Sequence, residues 1–191
     1  MGIEIAAAPL AYALLLVIGG ASLYGLMADQ RFITSGLLDL NAVRKGRQYH
    51  RVVTSAFLHA DLGHLLVNML TFFFFAPAVE VMFGTEGFFV IFFGSQIAAM
   101  ALTMARHRKS RNYQSLGASG AVSGVLLAFC VVRPFDMLYL FFAIPVPAIV
   151  FAFAYIFYST FAMGGPGRIS HEAHLGGALG GAVIALLIAF G

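Results

Sequence analysis

One stretch near the C-terminal end decides the class of fold: residues 171–190 read HEAHLGGALGGAVIALLIAF. After its first four residues it is uncharged and apolar, and its length of about 20 residues is what a helix needs to cross a bilayer. Small residues recur at four-residue spacing twice, as Gly176 with Gly180 and as Gly177 with Gly181. Such faces allow helix backbones to approach closely in a membrane. The stretch therefore predicts a tightly packed transmembrane helix whose polar residues are confined to its start.

The composition extends this interpretation to the whole chain. Of 191 residues, 61% are hydrophobic and 10% are charged, with 20 Phe and 21 Gly, and the mean hydropathy is +0.92. Soluble domains usually carry about 25% charged residues. The net charge of +3 is small and lies mainly in two loops, so nucleic acid is not an expected partner. The single cysteine, Cys130, excludes an intrachain disulfide and a cysteine-rich metal site, and we expect no metal or cofactor.

Charged residues and Gly/Pro punctuation divide the apolar runs into six predicted spans. They lie at about 5–27, 62–83, 87–105, 117–132, 137–158 and 171–190. Six such spans with short loops occupy nearly the whole chain, so we expect a single membrane domain over residues 1–191. The first run is too long for a signal-peptide core and lacks a basic region before it, which favours a retained span. The first loop, 28–61, is much longer than the others. Its apolar residues alternate irregularly with polar ones, which fits either short helices at the membrane interface or an ordinary exposed loop.

Polar side chains inside the spans are few, and each is a candidate functional residue because polarity is costly in a bilayer. His64 and Asn68 are four residues apart, so on a helix they share one face and can direct two hydrogen-bond donors to one point. Ser119 lies near the start of the fourth span and His174 near the start of the sixth. Each also has a structural alternative, since serine can bond back to its own helix and histidine or asparagine can bridge helices. His64, Ser119 and His174 all follow odd-numbered loops, so we expect them at similar depth below one surface.

Three motifs, in this order along the chain, resemble those of the rhomboid family. His59 with His64-Leu65-Leu66-Val67-Asn68 looks like the family's H-x-x-x-x-H-x-x-x-N. Gly117-Ala118-Ser119-Gly120 looks like its G-x-S-G, and Ala173-His174-Leu175-Gly176-Gly177 looks like its A-H-x-x-G. The resemblance covers about residues 50–181, and the combination is far more specific than any single motif.

The resemblance has two further matches and two departures. Arg51 fits the arginine of a first-loop Trp-Arg pair, and Glu80 followed by Gly84 fits the end of the family's second helix. However, the chain has no Trp, and His50 stands where that tryptophan is usual. In addition, many rhomboids carry an aromatic residue four positions after the nucleophile, packed on the catalytic histidine, whereas this chain has Ser123.

What the resemblance implies is an all-α integral membrane protein, a six-transmembrane-helix bundle of the bacterial six-span type. It implies an intramembrane serine endopeptidase that cleaves transmembrane segments by a Ser-His dyad. Ser119 would be the nucleophile and His174 the general base, with His64 and Asn68 in the oxyanion hole. The expected partners are transmembrane protein substrates and membrane lipid, with no prediction of oligomeric state. We expect a multi-pass integral membrane protein of the plasma (inner) membrane.

The orientation in that membrane is left open. Ten of the 11 Lys and Arg residues lie in odd-numbered loops, which by the positive-inside rule places the catalytic side in the cytoplasm. The resemblance instead implies a site that opens to the outside.

Three other functions account less well for the same residues. A zinc protease needs histidines four apart in H-E-x-x-H, whereas His171 and His174 are three apart. A transporter is typically built from two halves with matching interrupted spans, and none is apparent. A non-catalytic rhomboid relative that binds membrane partners without cutting them has no need of both Ser119 and His174.

Overall fold

A computed structural model describes residues 4–110, 112–140, 143–162 and 170–191, and most of them are helical. The α-helices in this part of the chain are α1 (Pro9–Met27), α2 (Gln30–Gly36), α3 (Leu40–Gly46), α4 (Arg51–Thr54), α5 (Leu62–Arg106), α6 (Ser119–Val132), α7 (Ala148–Ala162) and α8 (His171–Phe190). Short 3-10 helices cover Ile5–Ala7 and Ser55–Phe57. Strand β1 (Leu38–Asp39) pairs antiparallel with β2 (Gln114–Ser115), and β3 (Met137–Leu140) pairs antiparallel with β4 (Ile144–Pro147).

The apolar helices confirm the predicted class, an all-α multi-pass membrane protein. Helices α1, α5 and α8 are long and apolar enough to cross a bilayer, and α6 and most of α7 are shorter apolar helices. Many of their large hydrophobic side chains are exposed, including Leu16, Phe153, Phe157 and Phe190. In a membrane protein, such side chains face lipid.

Helix α5 reverses direction at Gly84, where φ is +71°. The ring of Phe72 lies 6.2 Å from that of Phe88 and 5.6 Å from that of Phe92. In one continuous helix, residues 16 positions apart would be separated by about 24 Å, so the two halves of α5 must pack against each other. Glycine adopts a positive φ without the strain that a Cβ would introduce. The two halves correspond to the second and third predicted spans.

Glu80 joins this reversal to the start of α1. Its carboxylate accepts hydrogen bonds from the backbone N–H groups of Leu10 (3.1 Å) and Ala11 (2.6 Å) and from the hydroxyl of Thr85 (2.8 Å). The first N–H groups of a helix have no acceptor within the helix, and negative charge at this end is favoured by the helix dipole. Glu80 is therefore the cap of α1, which explains a carboxylate that is only 1% exposed.

The predicted fifth span, 137–158, is wrong at its start. Residues 137–140 and 144–147 are the strands of a β-hairpin, and the helix begins only at Ala148. Pro145 and Pro147 explain the difference, because proline lacks an N–H and disfavours helical geometry in the residue before it. An apolar run without clear periodicity fits a strand or a buried helix equally well.

Helix α6 lies at the centre of the bundle, and every residue from Gly120 to Ala128 is buried. A Cβ on Gly177 of α8 would lie 1.9 Å from the carbonyl oxygen of Gly120, and one on Gly181 would lie 2.3 Å from that of Gly124. The other glycine face of α8 packs on α5: a Cβ on Gly176 would lie 2.8 Å from the carbonyl oxygen of Ala98. The close approach predicted from the glycine spacing is confirmed.

Two arginines hold the long first loop, which folds into α2, α3 and α4. The Arg51 guanidinium donates to the carbonyl oxygens of Thr34 (3.0 Å) and Leu37 (2.8 Å), at the end of α2. Arg44 caps the end of α5 by donating to the carbonyl oxygens of Met104, His107 and Ser110. Cations at helix C-termini are stabilising, so these charges have a structural role. Arg51 anchors the loop although exposed His50 occupies the usual tryptophan position.

The glycine contact predicts a contrast between two alanine substitutions. Gly177→Ala should lower the free energy of unfolding by about 1–3 kcal/mol, because the new methyl group overlaps the α6 backbone. Gly19→Ala in α1 should leave stability unchanged or raised, because nothing lies within 4 Å of the added Cβ. The measurement is thermal unfolding in mild detergent. Equal melting temperatures for the two variants would contradict the assigned packing.

Candidate active site

Ser119 is the first residue of α6, and a tight backbone turn at Gly117 brings it there. Gly117 has φ +128°, and its N–H donates to the carbonyl oxygen of Ser55 at 2.9 Å. A Cβ at Gly117 would lie 2.6 Å from Cε1 of His64. Both the positive φ and the overlying imidazole therefore require glycine two residues before Ser119. Ser119 itself is half-buried.

His59 contacts the same turn and is fully buried. Ser22 uses its hydroxyl hydrogen to donate to the Phe57 carbonyl oxygen at 3.0 Å, so Nδ1–H of His59 donates to Ser22 Oγ at 2.8 Å. Nε2 is then free to accept the backbone N–H of Ala118 at 3.4 Å. Both ring nitrogens of a neutral His59 are thereby used: Nδ1 bonds to Ser22 of α1, and Nε2 holds the backbone of the residue before Ser119.

His174 lies in the first turn of α8, beside the start of α6. A Cβ on Gly120 would lie 3.4 Å from the carbonyl oxygen of Ala173, so the residue after Ser119 contacts the residue before His174. The His174 ring is half-buried between two rings: Tyr155 stacks on it with centroids 6.5 Å apart, and His171 meets it edge-on at 6.0 Å. Among the described residues, no hydrogen bond joins Ser119 to His174.

Asn68 follows His64 by one turn on the first half of α5. Its side chain is buried, 5% exposed, and Nδ2 donates to the carbonyl oxygen of His64 at 2.9 Å. This uses one of the two amide hydrogens. The His64 ring, half-buried, packs edge-on against that of His59 at 5.0 Å and lies over Gly117. His64 thus lies close to the start of α6, and Asn68 extends the same face.

The match to a known domain family is extensive. Residues 46–190 match the Rhomboid domain family, a range that includes the turn at Gly117, the start of α8 and the paired halves of α5. The chain belongs to the rhomboid family. Rhomboid proteins are generally intramembrane serine proteases.

Rhomboid relatives with curated names cover much of the chain. It is 30% identical over 182 residues to RHOMBOID-like protein 12, mitochondrial, of Arabidopsis thaliana, which is 85% of this chain and 54% of the relative. It is 32% identical over 136 residues to Rhomboid protein 1, mitochondrial, of Saccharomyces cerevisiae, 68% of this chain and 39% of the relative. It is 30% identical over 137 residues to the human Presenilin-associated rhomboid-like protein, mitochondrial. This match covers 68% of this chain and 35% of the relative. The chain thus spans about half of these relatives or less.

Sequence reasoning missed the role of Glu172 in this rhomboid. Its Oε1 accepts hydrogen bonds from Nε2 of His107 (2.7 Å), the hydroxyl of Tyr113 (2.9 Å) and the hydroxyl of Ser170 (3.0 Å). Burial raises the pKa of Tyr113 to about 12, which keeps its phenol protonated as a donor. Glu172 thus ties the start of α8 to the end of α5. The sequence carried a signal, an acidic residue two positions before candidate His174, but its partners His107 and Tyr113 lie about 60 residues away in the chain.

The environment of His59 predicts a pH dependence of rhomboid stability. Burial lowers the pKa of His59 from 6.5 to about 3, so the folded state disfavours the protonated ring that the unfolded chain accepts. Its contribution to stability is complete above about pH 6.5 and is lost as the pH falls from there towards about 3. The melting temperature of wild type should therefore exceed that of His59→Gln by a constant margin above pH 6.5, and the margin should shrink in acid. A margin that does not depend on pH would contradict this assignment.

Proposed function

We propose that this rhomboid is an intramembrane serine endopeptidase that cleaves transmembrane segments by a Ser-His dyad, with Ser119 as nucleophile and His174 as general base. Serine is a weak nucleophile at neutral pH unless a neighbouring base takes its proton. As Oγ of Ser119 attacks the scissile carbonyl, its proton passes to the imidazole of His174, which then protonates the leaving amine. Water, activated by the same imidazole, hydrolyses the acyl-enzyme and restores Ser119.

The observation that carries this proposal is the close approach of Gly120 to Ala173. A Cβ on Gly120 would lie 3.4 Å from the carbonyl oxygen of Ala173. Ser119 precedes one of these residues and His174 follows the other, so the proposed nucleophile and base belong to the first turns of two helices that pack together at that point. In enzymes without bound substrate, the hydrogen bonds between catalytic residues are often long, and they shorten when substrate binds. The absence of a direct Ser119–His174 bond among the described residues is compatible with the proposed roles.

The proposed oxyanion hole comprises His64, Asn68 and the backbone N–H of Ser119. The first N–H groups of α6 have no acceptor within the helix, and the helix dipole favours negative charge at this end. The His64 ring over Gly117 and the second amide hydrogen of Asn68 supply further donors. Preorganised donors of this kind are among the largest contributions to acyl-transfer catalysis.

A dyad accounts for the site better than a triad because the nearest acidic residue in the chain is already engaged. Glu172 precedes His174 by two residues, but His107, Tyr113 and Ser170 all donate to one of its oxygens. Its carboxylate therefore serves the packing of α8 against α5. In this proposal, packing holds the His174 ring in place of an acidic partner.

The length of α6 supports cleavage within the apolar layer. Its 14 residues span about 21 Å, less than the hydrocarbon thickness of about 30 Å. At its C-terminal end the exposed Arg133–Asp136 ion pair marks the water side, so Ser119 would lie below the opposite surface. We therefore propose transmembrane protein segments as substrates, with membrane lipid around the bundle. The six-span topology stays a prediction. The plasma (inner) membrane also stays a prediction, because the relatives named above carry mitochondrial names.

Cleavage of a fluorogenic transmembrane peptide in proteoliposomes tests the proposal. Ser119→Ala and His174→Ala should abolish cleavage, whereas His64→Ala and Asn68→Ala should each reduce turnover about 100-fold to 1,000-fold. The matched control is Ser35→Ala, which removes an exposed hydroxyl of α2 and should cleave like wild type.

Thermal unfolding of the same variants separates chemistry from folding. Asn68→Ala should keep a melting temperature close to that of wild type while turnover falls. Unfolding of Asn68→Ala in mild detergent would make Asn68 structural, and cleavage by Ser119→Ala at the wild-type rate would contradict the proposed function.

A further inference from the structure

Tyr155 of α7 contacts the site from a helix that carries none of the family motifs. Its ring is nearly parallel to that of His174, with an interplanar angle of 20° and centroids 6.5 Å apart. His171 also contacts the His174 ring, at an interplanar angle of 74° and with centroids 6.0 Å apart. Among the described residues, Tyr155 is therefore the aromatic residue whose ring lies nearly parallel to the His174 imidazole.

The hydroxyl of Tyr155 is tied to the nucleophile's own backbone through Ser123. Ser123 Oγ donates its one hydrogen to the carbonyl oxygen of Ser119 at 2.6 Å. Ser123 Oγ also lies in hydrogen-bond contact with the Tyr155 hydroxyl. With its own hydrogen already used, Ser123 accepts from Tyr155. A continuous chain thus runs from the Ser119 carbonyl through Ser123 to Tyr155, and by ring contact to His174.

We propose that Tyr155 is a positioning residue that fixes the plane of the His174 imidazole relative to Ser119, with Ser123 as the anchor of its hydroxyl. The inference rests on the proposed function, in which His174 gains and loses a proton in each catalytic cycle. An aromatic ring packed beside the imidazole restrains the rotation of His174 in both protonation states. The small side chain of Ser123 leaves the space through which Tyr155 reaches α6.

A pair of substitutions on α7 tests the ring contact. Tyr155→Leu should lower kcat on the transmembrane peptide about 10-fold to 100-fold, because small misplacements of a catalytic group cost about that much, while KM changes less than about 2-fold. Tyr155→Phe keeps the ring and should keep kcat within about 10-fold of wild type. The matched control is Phe153→Leu, which removes an aromatic ring from a side chain that is 69% exposed and should leave both constants unchanged.

A double-mutant cycle tests the hydroxyl chain with variants that remove only single oxygen atoms. Tyr155→Phe and Ser123→Ala cut the same link, so the double variant should lose no more kcat than the more impaired single variant. Effects that multiply would overturn the coupling between Tyr155 and Ser123. A wild-type kcat in Tyr155→Leu, or a raised KM at unchanged kcat, would overturn the positioning role alone. Lack of cleavage by the wild type would instead contradict the proposed function.

Discussion

The rest of the structure depends on the contact between the backbones of α6 and α8. Within a bilayer, helices gain little from the hydrophobic effect, and close packing has to hold them together. Gly177 and Gly181 lie against the carbonyl oxygens of Gly120 and Gly124, at distances where no Cβ fits. Because the two helices approach so closely, their first turns also meet, and those turns carry Ser119 and His174. The glycine contact therefore determines both the bundle and its candidate active site.

Three buried polar residues near the bundle core have an identifiable structural task. Glu80 caps α1, His59 fixes the turn before α6, and Glu172 links α8 to the end of α5. A buried polar group is costly unless it is hydrogen-bonded, and these three are satisfied. By contrast, Ser119 and the ring of His174 are half-buried and have no hydrogen bond to each other. That difference separates the supporting residues from the two proposed catalytic residues.

The sequence predicted the helices better than the contacts between them. The division of α5 into two spans, the glycine faces of α8 and the start of α6 near Ser119 all followed from local patterns. The β-hairpin before α7 did not, because an apolar run interrupted by Pro145 and Pro147 was interpreted as helix. The contact of Tyr155 with His174 could not be predicted from the sequence either, because it depends on how α7 packs against α8 and no motif connects these two helices. The departure at Ser123 signalled only that the usual aromatic residue was missing, and the structure places Tyr155 against the same imidazole.

The central claim is that the contact of α6 with α8 makes one serine of this rhomboid nucleophilic. The most direct measurement is mass spectrometry of the detergent-solubilised protein after reaction with a fluorophosphonate, with peptide mapping of the adduct. We expect one adduct per chain, on Ser119, and none when His174 is replaced by alanine. An adduct on another serine, or equal labelling of Ser119 without His174, would contradict it.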